Sequence, residues 1–232
     1  HTDAHAALEA DLAAWLGAEA ALVFPSGYTT NLGAVTAVVG RSDTVVMDRA
    51  CHASLYDAVS MARARLVRYP PCDAAGAAER LAAEAGAPSD SRAVALPGHR
   101  ADPHERGGPG APPRGKEKDP PRNKMLLVTD AVFSMDGRRA PLADLMAAAR
   151  GHGAALLLDE AHALGVLGEN GAGLAEELSA NGHGEISRLA SLARNDSAPV
   201  SDIRFVRVGT LSKALGGVGG FVAASREGID LL

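Results

Sequence analysis

Apolar positions mark out a repeating order along the chain. Leu8, Leu12, Trp15 and Leu16 fall at helical spacing and predict an opening helix with one apolar face. AALVF (20–24) predicts a short buried strand, PSG (25–27) interrupts it, and YTTNLGAVTAVV (28–39) returns to a helical pattern. The same alternation follows in DTVVMD (43–48), SLYDAVSMARA (54–64) and RLVRY (65–69). Asp73 is placed to cap a helix running to about Glu84. MLLVTD (125–130) and AALLLDE (154–160) are strand candidates. Between them Pro141 is expected as the first residue of a helix with Leu142, Leu145 and Met146 on one face. IRFVRV (203–208) and GGFVAA (219–224) complete the strands, and SREGIDLL starts a last helix. The strands are continuous apolar runs, as expected of strands covered on both faces. The pattern therefore predicts an α/β fold: a mostly parallel sheet with helices on both faces. In such sheets chemistry collects where the C-terminal ends of strands meet loops.

Two stretches break the rhythm. Residues 97–123 hold seven of the thirteen prolines and ten charged residues, a composition that cannot bury a core and reads as a disordered insertion. Residues 175–202 are polar and read as a second insertion. Apolar residues make up 47% of the 232, but only 3% are aromatic, so the core must be built of small side chains in close packing. The net charge of −5 with scattered basic residues shows no nucleic-acid stripe, and no apolar run reaches membrane-spanning length. Cys51 and Cys72 have no metal-type spacing and fit a reduced intracellular, cytoplasmic setting. A leader upstream of His1 would change that setting, and both ends of the chain look cut.

Candidate chemistry lies at the strand ends. Ser26 and Gly27 mark a strand-to-helix turn where the N–H groups of Gly27 and Tyr28 could cradle a phosphate; the same residues also make an ordinary turn. His52 follows the second strand and reads equally as structural; its neighbour Cys51 makes a poor partner, because adjacent side chains rarely face each other. Asp130 and Ser134 follow MLLVTD, where SMDG also reads as a plain turn. LLLDEAH ends a buried strand on Asp159, a costly place for a carboxylate unless it meets a cation or a metal, and His162 can return to the same side. The DEAH run fits a nucleotide-driven motor only if a G-x-x-x-x-G-K-[ST] loop is present, and the sequence has none. No H-E-x-x-H metal-binding motif is present. GTLSKALGG (209–217) sets Lys213 among small residues between two strands, as a solvated turn lysine or as a group with a task.

A phosphate cradle, a strand-end aspartate and a loop lysine together are what pyridoxal phosphate requires. The lysine bonds its aldehyde carbon, the aspartate keeps the ring nitrogen protonated, and N–H groups hold the phosphate. A pocket that lowers the lysine pKa makes it nucleophilic.

With these residues placed, the chain resembles the α-oxoamine synthases, a branch of the fold-type I pyridoxal-phosphate enzymes. The resemblance runs through HAALEADLAAWLGAEAALVFPSGYTTN, DRACHASLYDA, VTDAVFSMDGRRAPLADL, LLLDEAHALGVLGENGAG and GTLSKALGGVGGFVAAS. It implies that residues 1–232 are the large, cofactor-binding domain of a fold-type I transferase, without the family's small C-terminal domain and the carboxylate-binding arginine that domain supplies. It implies that Lys213 bonds the cofactor and Asp159 pairs with its ring nitrogen. His162 and Ser134 match residues that hydrogen-bond the ring oxygen. His52 matches a residue that stacks on the ring and orients the amino acid. Gly27 and Tyr28 match the phosphate turn, and Thr210 a further phosphate contact; Asn31 lies in the same motif. Members condense an amino acid with an acyl-CoA thioester, release CO₂ and CoA, and work as homodimers. Asp130 departs from the family pattern, where glutamate is common, and a non-catalytic relic of the fold stays open as an alternative.

Overall fold

The computed structural model describes residues 1–86, 124–180 and 205–232. Among them, seven apolar runs form one sheet: β1 (Ala20–Phe24), β2 (Thr44–Asp48), β3 (Arg65–Tyr69), β4 (Met125–Asp130), β5 (Ala155–Asp159), β6 (Phe205–Thr210) and β7 (Gly220–Ala224). The strand order is β1-β7-β6-β5-β4-β2-β3. Pairing is parallel from β3 through β2, β4 and β5 to β6. Only β7 runs the other way, antiparallel to both β6 and β1. Burial follows position: β2 and β7 are buried along their whole length, whereas the edge strands β1 and β3 are partly open.

Helices α1 (Asp3–Leu16), α2 (Gly27–Val38), α3 (Ala53–Ala62), α4 (Ala74–Ala85), α5 (Leu142–Gly151), α6 (Leu174–Ala180) and α7 (Arg226–Ile229) fill the connections. Alternate strand residues feed two layers. Val46, Leu127, Leu156 and Leu158 pack with Ala77 and Leu81 of α4 and Leu145 and Met146 of α5. Val45, Met47, Leu126, Val128 and Leu157 pack on the other face with Val35 of α2 and Leu55 and Val59 of α3. The period-two alternation of a strand therefore supplies both layers from one apolar run. Each leucine so buried contributes about 1.5–3 kcal/mol. Small residues keep the layers close: a Cβ on Gly33 would lie 2.7 Å from the Phe24 ring.

Asp73 caps α4 as its sequence predicts, accepting from Gly76 N, and Ser225 caps α7. Four expectations need adjustment. Leu8 is exposed, because the buried face of α1 is made by Leu12, Ala13 and Leu16. Pro141 precedes α5 as its cap rather than opening it. β6 continues to Thr210, so Gly209 and Thr210 are strand rather than loop residues. Residues 175–180, the start of the stretch read as a second insertion, complete α6 and are therefore helical. The first insertion (97–123) and the remainder of the second lie outside the described residues, as do 203 and 204.

Candidate cofactor site

At the C-terminal ends of β1, β2, β4, β5 and β6 lies a cavity of about 290 Å³. It is lined by Gly27, Tyr28, His52, Asp159, His162, Thr210 and Lys213, all expected from the sequence, with Asn31, Ser54, Asp130 and Ser212 among the others. These residues come from five separate strand ends and the connections after them, and the parallel strands bring them together.

One wall is the start of α2. The Ser26 side chain accepts from Thr29 N at 3.1 Å, and Thr30 N donates to Ser26 O. The N–H groups of Gly27 and Tyr28 precede both in the first turn, where the helix dipole favours an anion. Two glycines let this turn press on the sheet. A Cβ on Gly27 would meet Thr210 Cβ and Oγ1 at 3.2 Å. A Cβ on Gly220 would sit 2.4 Å from Thr30 Oγ1 and 2.9 Å from Gly27 Cα. The Thr210 hydroxyl donates to Gly219 O at 3.0 Å, and its oxygen lies 2.9 Å from Ser212 Oγ.

The opposite wall carries the charges. Asp159 ends β5, nearly buried, with Oδ1 accepting from Ala161 N and Oδ2 from Asn31 Nδ2, both at 2.9 Å. Both of its oxygens thus accept a hydrogen bond from the protein. Lys213 Nζ lies 2.8 Å from His162 Nε2. Burial pulls the Lys213 amine below its ordinary value, against the opposing pull of Asp159 and Asp130. Burial and then the Lys213 charge hold His162 down as well, which favours its neutral ring. Asp130 pairs in register with Asp159 and accepts from His52 N at 3.4 Å. Burial, and then the Asp159 charge, push its carboxyl upward. His52 caps α3: its Nδ1 accepts from Ser54 N at 3.3 Å and lies 2.8 Å from Ser54 Oγ.

Ser134 is the expected site residue that the structure leaves outside: it is exposed on the turn after β4 and does not line the cavity. Ser54 and Ser212 line it without having been singled out by sequence, since a serine beside a histidine or a lysine carries no signal of its own. Cys51 points away into the core, where its Sγ faces Val128 O and burial pushes the thiol well up. Glu160, next to Asp159, turns to the other side. It accepts from Leu174 N and Ala175 N and pairs with Arg207 at 3.1 Å. Arg207 in turn donates to Leu16 O and Ala172 O. Among the described residues no group of histidines, cysteines and acids could hold a metal ion.

Pyridoxal phosphate fits this donor set. The first turn of α2 lacks a Cβ where Gly27 meets Thr210, which leaves backbone N–H groups open to a phosphate. A buried aspartate, both oxygens fixed by hydrogen bonds, lines the cavity and suits a pyridinium nitrogen, and a lysine pulled toward its neutral form shares the space.

The family model described as aminotransferase class I and II matches residues 1–232. The chain is similar to the 8-amino-7-oxononanoate synthase of Alkalilimnicola ehrlichii, 42% identical over 100% of this chain and 45% of that protein. It is also similar to the solved Sphingomonas wittichii serine palmitoyltransferase, 28% identical with a TM-score of 0.70 over 100% of this chain and 44% of that one. A solved SPT with PLP is 27% identical, with a TM-score of 0.69 over 99% of this chain and 44% of that one. The chain thus spans about half the length of the proteins it matches.

Proposed function

Because the chain belongs to the aminotransferase class I and II family, we propose that it carries the cofactor-binding part of an α-oxoamine synthase: a pyridoxal-phosphate-dependent acyltransferase. Its substrates are an amino acid and an acyl-CoA thioester, joined with loss of CO₂ and CoA. The names of its relatives favour the 8-amino-7-oxononanoate synthase type, with alanine as the amino acid and biotin synthesis as the setting. One observation carries the reading: Asp159 and Lys213 line the same cavity as the start of α2.

Bound pyridoxal phosphate supplies an aldehyde for amines and a ring that withdraws electrons from a substrate's α-carbon. The chain's residues do the rest. The N–H groups of Gly27 and Tyr28 would hold the phosphate, assisted by the hydroxyls of Ser212 and Thr210. Asp159, its two oxygens fixed by Asn31 and Ala161, would pair with the ring nitrogen and keep a proton on it. Lys213 would supply the amine, which burial pulls toward its neutral form, and His162 at 2.8 Å can exchange a proton with its Nζ. His52, which lines the same cavity, would cover one side of the bound ring and orient the amino acid. Met135, Val166 and Val218 are 93%, 69% and 88% exposed on the turns beyond the strand ends. Apolar side chains so placed favour a homodimer that covers this face. Two free cysteines favour a reduced cytoplasmic setting.

The test is titration with pyridoxal phosphate followed by visible absorbance, then thioester-dependent CoA release with alanine, glycine and serine. A lysine-bound cofactor band that Lys213→Ala abolishes is expected, with CoA release greatest with alanine. A band that Lys213→Ala leaves unchanged overturns the cofactor assignment; greatest release with serine or glycine overturns the alanine assignment.

A further inference from the structure

Asn31 and Ser54 link two cavity residues, Asp159 and His52. Asn31 Nδ2 is 2.9 Å from Asp159 Oδ2 and 2.9 Å from Ser54 Oγ. Ser54 Oγ is 2.8 Å from His52 Nδ1. We propose that Asn31 and Ser54 are positioning residues: they form a hydrogen-bonded chain from the Asp159 carboxylate to Nδ1 of His52, which fixes the proton of a neutral His52 on Nε2 and ties its ring to the acid across the cavity.

The direction of the chain follows from counting protons. An amide nitrogen has two, and an ionised carboxylate can only accept. One Nδ2 proton therefore goes to Asp159 and the other to Ser54 Oγ. The serine oxygen, already accepting from Asn31, directs its single proton to His52 Nδ1. Ser54 N donates to the same nitrogen at 3.3 Å. Nδ1 then has two donors facing it and no place for a proton of its own, so the ring's proton belongs on Nε2. The opposite orientation of the Asn31 amide would aim its carbonyl oxygen at the Asp159 carboxylate.

A second observation points the same way. Asn31 is 4% exposed, and its Oδ1 is buried with no hydrogen-bond partner among the described residues. A buried amide normally satisfies its oxygen. Here the oxygen goes unpaired while the nitrogen donates twice, the arrangement expected where a nearby negative charge sets the amide's orientation. Ser54 is 2% exposed and Asp159 6%, so water does not compete freely for these bonds. His52 is thus held as a donor of known direction, and the charge of Asp159 is felt at its ring through two intervening side chains.

This rests on the proposed function only for the ionised state of Asp159. The test uses the cofactor-free protein, so its outcome is separate from whether pyridoxal phosphate binds. Histidine is labelled with ¹⁵N, and the His52 signals are assigned by their loss in His52→Gln. The expected pattern is a protonated Nε2 and an unprotonated, hydrogen-bonded Nδ1. Ser54→Ala is expected to move Nδ1 toward the position of an unbonded ring nitrogen. Asp159→Asn is expected to shift Nδ1 when Asn31 is present and to leave it in place in Asn31→Leu. A proton on Nδ1 in the unmodified protein overturns the proposal. So does an equal response to Asp159→Asn in both backgrounds, which would mean a field acting through space. Melting curves identify a variant that does not fold, and Asn31→Ala then replaces Asn31→Leu in the same cycle. The normal ¹⁵N pattern without cofactor binding would refute the function and leave the chain standing; the reverse result would do the opposite.

Discussion

Asp159 and Glu160 are neighbours in sequence with opposite tasks, and neutralising each in turn separates site from scaffold. Glu160→Gln keeps the shape but removes the ion-pair partner of the Arg207 guanidinium, whose side chain is 6% exposed. Arg207 retains the carbonyls of Leu16 and Ala172, but carbonyl dipoles replace only part of a lost anion. Breaking a buried pair from one side costs about 3–5 kcal/mol. For a chain of this size that lowers Tm by about 6–20 °C. Asp159→Asn is milder. Its amide oxygen can still accept from Ala161 N, while its nitrogen would face the Asn31 nitrogen and lose one bond. That loss of about 1–3 kcal/mol is offset by relief of Asp130, which the Asp159 charge holds up. Urea unfolding and pyridoxal phosphate titration on both variants form the assay. Glu160→Gln should lose the larger share of stability; Asp159→Asn should lose cofactor affinity by tenfold or more while staying close to wild type in unfolding. Equal losses of stability, with cofactor affinity intact in Asp159→Asn, would refute this division of labour.

Three further outcomes follow from the same geometry. Asp130 has a raised carboxyl, so its contribution to stability is full below the ordinary aspartate value and is lost as pH climbs through the raised one. Asp130→Asn should flatten that part of the stability–pH curve measured by denaturant unfolding, and an unchanged slope would contradict it. Gly220→Ala forces a methyl against Thr30 Oγ1, Gly209 O and Gly27 Cα. Overpacking of this kind costs about 1–3 kcal/mol, and thermal melts should show it together with weaker cofactor binding as α2 is pushed off the sheet. Thiol reagents should label partly exposed Cys72 in the native protein and reach buried Cys51 only on unfolding, as peptide mapping will show.

Much of this was legible in the sequence, for identifiable reasons. MLLVTD and ALLLD read as strands because interior parallel strands are apolar on both faces, and Asp159 stood out because a carboxylate ends such a run. The strand order was not legible: β1 lies beside β7, almost the whole chain away, and no local pattern carries that pairing. The same distance hid the Asn31–Asp159 bond, which joins residues 128 positions apart. Glu160 carried no sequence signal for its own task, because its partners Leu174, Ala175 and Arg207 are distant in the chain. Leu8 misled because helical spacing marks a face without saying how far the sheet beneath it extends.

The central claim is that Lys213 and Asp159 serve one ring held by the start of α2. Borohydride reduction of the protein with pyridoxal phosphate, followed by mass mapping of the modified peptide, tests it most directly. The account predicts one modified lysine, Lys213, with the labelling lost in Lys213→Ala and weakened in Asp159→Asn. Labelling that settles on Lys124 or spreads over other lysines, indifferent to both substitutions, would contradict it.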